Sequence, residues 1–160
     1  MFNFNKKKKP TGFITVRVKR ANTDVWETIV YKKPNLLTNA GRDFLHAQGY
    51  TNTSAGTIGA NYLAVSVNTG GASAAHTSLA GEIASGGLSR AQATTITHSA
   101  GTNTTTLKYT WTASATHTDV QLGGLFNASS AGTLVHEATF TLTTLVSGDQ
   151  LELTWVITLG

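Results

Sequence analysis

The run Gln150-Leu151-Glu152-Leu153-Thr154-Trp155-Val156-Ile157-Thr158-Leu159 decides how this chain is to be read. Leu151, Leu153, Trp155, Ile157 and Leu159 fall on one side of an extended backbone, with Glu152, Thr154 and Thr158 on the other, and only Val156 interrupts the polar side. Successive side chains of a strand point to opposite faces, so this alternation describes a strand with one face in a core and one toward water. The preceding run repeats the pattern less cleanly, Leu134, Ala138, Phe140 and Leu142 opposing Glu137, Thr139, Thr141 and Thr143. Ser147-Gly148-Asp149-Gln150 between them supplies turn residues, Gly148 being free to take positive φ. The two runs are therefore expected to pair as a long antiparallel hairpin with a Trp-centred apolar face.

Working outward, the same alternation recurs. Ile14, Val16 and Val18 oppose Thr15, Arg17 and Lys19, and residues 25–32 form a second strand after the turn at Arg20–Asp24. Tyr62–Asn68 reads as a short strand with Leu63, Val65 and Val67 facing in, residues 88–97 and 104–113 as strands flanking a turn at Ser99–Asn103, and Val120–Asn127 as one more. Asn35–Gly49 holds the one expected helix, placed near residues 39–48: Thr38 can cap its start, Gly49 suits its end, and Ala40, Phe44, Leu45 and Ala47 make a narrow apolar stripe. Gly41 inside it costs about 1 kcal/mol against alanine, so the helix needs packing against a sheet. Residues 69–87 have little periodicity and read as a long surface loop made for contact, with a possible helical turn near Ser78–Ala84. Some eight short strands and one helix predict an all-β fold, an antiparallel β-sandwich of jelly-roll type, with an immunoglobulin-like sandwich as the alternative.

At 160 residues the chain suits one domain, residues 12–160, preceded by an arm, residues 1–11. It has no cysteine, which excludes disulfides, thiol chemistry and thiolate metal sites. No apolar run reaches the roughly 18–20 residues of a membrane span, and Lys6–Lys9 is followed by no apolar signal segment; a soluble protein made in the cytoplasm is expected, with no membrane contact. Only 12% of residues are charged while Thr (28) and Gly (16) abound, which suits strands and turns and a surface largely covered by neighbours.

Charge is unevenly placed. Residues 1–42 hold ten of the twelve Lys/Arg and only Asp24 and Glu27, a balance of +8, whereas residues 43–160 come to −4. The arm Met1–Thr11 has four consecutive, mutually repelling lysines and ends near Pro10, so it is expected to be flexible. The candidate partner-binding residues are Phe2, Phe4, Lys6, Lys7, Lys8 and Lys9 of the arm with Arg17, Lys19, Arg20, Lys32 and Lys33, which share one end of the domain if the first two strands pair. Such a basic face fits an acidic protein surface. Sequence-blind binding of nucleic acid is the lesser alternative, because few exposed aromatics are offered for base stacking.

The sequence offers little for catalysis. His46, His76, His98, His117 and His136 are scattered; His117 and Asp119 would share a strand face but lack the further ligands zinc needs. His136 and Glu137 are adjacent and so point to opposite faces. No nucleophile elbow, phosphate-binding loop or metalloprotease motif occurs. No catalytic residue, metal or cofactor is expected. Trp26, Trp111 and Trp155 sit within alternating runs and are expected in the core rather than stacked on sugars.

Four segments in order, Asn35-Leu36-Leu37-Thr38-Asn39-Ala40-Gly41-Arg42-Asp43-Phe44-Leu45, Tyr62-Leu63-Ala64-Val65-Ser66-Val67-Asn68-Thr69-Gly70, Gly124-Leu125-Phe126-Asn127 and Ser147-Gly148-Asp149 with the closing Leu153–Thr158, resemble a recurrent family of tailed-bacteriophage virion proteins. The resemblance covers most of the chain from about residue 12 onward and implies a non-enzymatic structural component of the particle. With the small size and basic arm, it points to a capsid decoration or cement protein, a homo-oligomer in the virion bound to the major capsid protein. A tail, baseplate or fibre module that joins tail parts or binds host glycans is the alternative, and an internal protein touching the genome a third.

Overall fold

The computed structural model describes residues 12–46, 59–100 and 102–158. Among these described residues ten strands and one helix follow in the order β1 Phe13–Lys19, β2 Trp26–Pro34, β3 Leu36–Leu37, α1 Asn39–His46, β4 Tyr62–Ser66, β5 Ala91–Gln92, β6 Thr95–His98, β7 Thr104–Thr112, β8 His117–Phe126, β9 Leu134–Leu145 and β10 Gln150–Thr158. They make two antiparallel five-stranded sheets, β2-β1-β10-β7-β6 and β3-β9-β8-β4-β5, so the chain is all-β and sandwich-like, as expected. Their inner faces close on one core that includes Ile14, Val16, Val18, Leu107, Leu153 and Trp155 from the first sheet and Leu63, Val65, Leu125 and Phe140 from the second.

The closing run is a strand, but its expected partner is wrong. β10 lies between β1 and β7, while β9 lies between β3 and β8 in the opposite sheet. The Ser147–Asp149 turn, with Gly148 at φ 88° as expected, is a crossing between sheets rather than a hairpin loop. Backbone bonds from Gly148 N to Ala113 O and from Ala113 N to Asp149 O stitch it to the end of β7. Alternation puts every second residue into a core whether two runs lie side by side or face each other across it, which is why the pattern alone could not choose.

Other departures have local causes. Residues 88–97 form two short strands in different sheets, β5 pairing with β4 and β6 with β7, the switch falling where Ala93 N bonds Asn61 O and Thr94 N bonds Lys108 O. Register shifts in the β8–β9 ladder place Val120 opposite Thr143 but Leu122 opposite Thr139. In that stretch Thr141 and Leu142 are both exposed between the buried Phe140 and Thr143, which shifts the alternation by one, so Leu142 is 50% exposed while Thr143 and Leu145 are buried. Val67 falls just past β4 and is exposed as well. Residues 69–87 contain no helical turn; they lie over the outer face of the second sheet, where Leu79 and Ala72 join Ala64, Leu122, Phe126 and Leu134 in a second small core. Both faces of the sheet are therefore covered over Leu63–Ser66 of β4, Leu122–Phe126 of β8 and Leu134–Ala138 of β9.

Helix α1 ends its described course at His46, and residues 47–48 of the expected helix lie outside the described residues. Thr38 caps it, its Oγ1 accepting from Gly41 N at 2.9 Å. Gly41 is required by close approach: a Cβ there would stand 2.1 Å from Val135 O of β9. The edge strand β2 is bulged against β1, holds Lys32 at φ 49° and ends on Pro34, features that discourage a further strand from adding to that edge.

Trp155 is fully buried and Trp111 nearly so, its Nε1 donating to Ser89 O at 2.7 Å. Trp26 departs from the core expectation: it is half-buried, with the Arg17 guanidinium 5.1 Å from its ring centroid. Replacement Trp155→Ala should lower unfolding free energy by about 3–5 kcal/mol, measured by chemical denaturation. A cost below about 1 kcal/mol would mean the indole is not what joins the sheets.

Candidate interaction face and apolar cleft

The N-terminal candidates Phe2, Phe4, Lys6, Lys7, Lys8 and Lys9 lie outside the described residues. The remaining basic residues do not share one end. The β1–β2 register sets Lys33 opposite Ile14 and Trp26 opposite Lys19, so Lys19 and Arg20 lie at one end of the hairpin and Lys33 at the other, about 17 Å apart along the strand, with Arg17 between them opposite Thr28. The sequence reading placed them together because it had strand pairing but no register.

Toward the first end each cation meets a carboxylate. Arg17 Nη1 stands 3.3 Å from Glu152 Oε1, Lys19 Nζ 3.2 Å from Asp24, and Arg20 Nη1 2.8 Å from Asp149 Oδ2. Lys108 joins Glu152 at 3.4 Å. The pairs at Glu152 and Asp149 arise because β1 runs antiparallel to β10, which brings the basic beginning of the chain onto its acidic end. Asp149 is 1% exposed and also accepts from Ala21 N (2.9 Å) and Val146 N (3.1 Å). Burial alone would raise its carboxyl; the bonds from Arg20, Val146 and Ala21 and the charge of Arg20 outweigh that and hold it below the ordinary value. At the other end Lys33 Nζ donates to Thr139 Oγ1 at 2.9 Å, and Lys32 lies 5.1 Å from the ring of the exposed Tyr31.

The outer layer over the second sheet is pinned by charge too. Glu137 is wholly buried, its Oε2 accepting from Ser73 N and contacting His76 Nδ1, both at 2.9 Å, while Oε1 has no partner. Arg90 grips Glu82 through two nitrogens at 2.8 and 2.6 Å, donates to Ala128 O and Ala131 O, and stacks 3.5 Å from the Phe126 ring centroid. Neither pairing was legible in sequence. The partners stand 61 and 8 residues apart with no motif linking them.

At one end of the sandwich the two sheets and α1 leave an open cleft of about 520 Å³. Leu107, Ile157 and Ile96 line it from the first sheet, Leu125 and Val135 from the second, and Phe44 and Leu45 from the helix. His136 also lines it, buried to 3% exposure, with its ring centroid 6.3 Å from that of Trp155. As expected from their adjacency, His136 and Glu137 point to opposite faces, one into the core and one under the outer layer. His117 is held by Gly86 O at 3.0 Å, and Asp119 sits at φ 60°, which breaks the strand alternation that would have set the two side by side. Among the described residues no group of three His, Asp or Glu side chains is placed to hold a metal ion, and no helix is long and apolar enough to cross a membrane. No family model, curated protein or solved structure matches the chain.

Burial pushes the His136 imidazole down to about 4 from an ordinary 6.5. Between those values the unfolded chain binds a proton that the folded chain refuses, so stability is complete above pH 6.5 and falls as pH drops toward 4. The loss should be on the order of 3 kcal/mol. Urea titrations across this window should show it, and His136→Leu should remove most of the slope; an unchanged slope in that variant would assign the pH dependence to other groups.

Proposed function

We propose that the protein is a non-enzymatic structural component of a tailed-phage virion, a decoration protein that sits as a homo-oligomer on the major capsid protein and is held there by its basic N-terminal segment. One observation carries this reading. Residues 12–160 contain eight Lys/Arg and eight Asp/Glu, so the whole net charge of +4 resides in Lys6–Lys9. Within the body Arg17, Lys19, Arg20, Arg90 and Lys108 already face carboxylates. The densest uncompensated charge offered to an acidic partner is therefore that of the four lysines, with Lys32 and Lys33 of the body free of carboxylate partners among the described residues.

The attachment point suits a tether. The segment enters at Gly12, and β1 is laddered on both sides, to β2 and to β10. A pull on residues 1–11 is resisted by two hydrogen-bond ladders loaded along their length. We also read the sandwich as jelly-roll-like: β7 pairs with β10 in one sheet while β8 pairs with β9 in the other, the nesting of a hairpin folded over on itself.

Exposed ion pairs give about 0–1 kcal/mol each and weaken with salt, while several acting together at one interface give more. Deleting residues 1–10 should leave the melting temperature nearly unchanged, weaken attachment to phage shells in a sedimentation assay, and abolish the salt sensitivity of that attachment. A truncated protein that decorates shells as tightly as the intact one overturns the reading.

A further inference from the structure

The segment lying over the outer face of the second sheet has two halves held in different ways. From Leu79 onward it is anchored: Leu79, Ile83 and Leu88 are buried, Val67 N bonds Gly81 O, and Ile83 N bonds Val65 O. From Thr69 to Ser78 no residue is buried. Gly71, at φ 76°, begins this half, and Ala72 gives it one half-buried methyl against the small outer core. Three polar contacts tie it to other elements among the described residues. Asn39 N, the first amide of α1, donates to Ala74 O at 2.8 Å. The other two converge on one oxygen, Glu137 Oε2, from Ser73 N and His76 Nδ1. Glu137 makes no ion pair with Lys or Arg among the described residues, and its neighbours across the ladders, Leu36 and Gly124, bring no charge. Every hydrogen bond its wholly buried carboxylate receives therefore comes from the segment above it.

We infer that residues 71–78 form a strap that lifts as one unit about Gly71 and Leu79 while the sandwich stays folded, with the contact between Glu137 and His76 as its latch. Closing the strap takes a carboxylate out of water, and the bonds at Oε2 offset that only in part, since Oε1 gains no partner. Opening returns the carboxylate to water, and the strap itself carries no buried side chain. Segments with few buried apolar contacts open at lower free energy than a core does. Because Ala74 O serves the first amide of α1, the same movement frees the start of the helix that borders the cleft.

The strap is independent of attachment through residues 1–10. Amide hydrogen exchange of the full-length protein, read residue by residue by NMR in rising sub-denaturing urea, tests it. The Ser73 and Asn39 amides should exchange through one common opening that urea hardly changes, while Val67 and Ile83 should exchange far more slowly and with a steep urea dependence. His76→Ala leaves the buried carboxylate with a single donor and should speed Ser73 and Asn39 by the same factor, about tenfold. Adding Glu137→Gln to that variant should slow both again, because a neutral amide oxygen still accepts from Ser73 N without being a lone buried charge. The inference is overturned if Ser73 and Asn39 follow the urea dependence of Val67 and Ile83, which would mean that the strap leaves only on global unfolding. It is overturned as well if His76→Ala speeds neither amide or only one of them, or if Glu137→Gln in that background speeds exchange further.

Discussion

The contact of Trp155 with the opposite sheet is the constraint on which the rest depends. Its indole reaches across from β10 to lie over Gly123 of β8, where an added Cβ would stand 3.4 Å from Cζ3 of the ring. The missing side chain at Gly123 lets a large aromatic stand between the sheets without forcing them apart. Around it Leu153, Leu107 and Leu125 complete the layer, and β10 is held in place by full ladders to β1 and β7. A strand central to its sheet and bearing the largest buried side chain cannot shift by one residue without turning that side chain to solvent. The registers on both sides of β10 follow from that.

The same ladder settles the electrostatics. Because β1 lies antiparallel to β10, Arg17 is opposite Glu152 and Arg20 reaches Asp149. A chain that looks strongly polar from end to end thus folds into a body with equal numbers of cations and anions. The Asp149 carboxylate does more than pair: it gathers the Ala21 and Val146 amides and ties the β1–β2 turn to the crossing between sheets. The net charge of the chain is left in the segment before Gly12, and the proposed attachment follows from that asymmetry.

The second sheet is buried on both faces over Leu122–Phe126 and Leu134–Ala138, which accounts for a loop rich in Gly, Ala and Ser. Leu79 enters the outer small core, Ser73 and His76 meet Glu137, and Ser66 and Glu82 form a bridge that continues the sheet into the loop. Small residues allow the backbone to lie flat on a sheet whose outer side chains are themselves apolar. Among the described residues the interior is open at one end, in the cleft between α1 and the sheets.

The amino-acid pattern by itself determined most of the strands and of their inward faces, the capped helix and the burial of Trp111 and Trp155, because strand alternation and helix capping are local and repeat at fixed spacing; it failed at Val67, at Leu142 and over residues 88–97. It also marked Gly148 as free to take the left-handed backbone that it adopts. Only the tertiary structure decided which strands are neighbours: β9 and β10, adjacent in sequence and both alternating, face each other across the core instead of pairing, since either arrangement buries the same residues. Register likewise lay beyond the pattern, and with it the separation of Lys19 and Arg20 from Lys33. The bulged β8–β9 ladder that exposes Leu142, the meeting of Glu137 with His76, and the cleft at His136 and Asn61 all join residues far apart in the chain. They exist because two sheets closed on Trp155, a long-range event that no single stretch of sequence encodes.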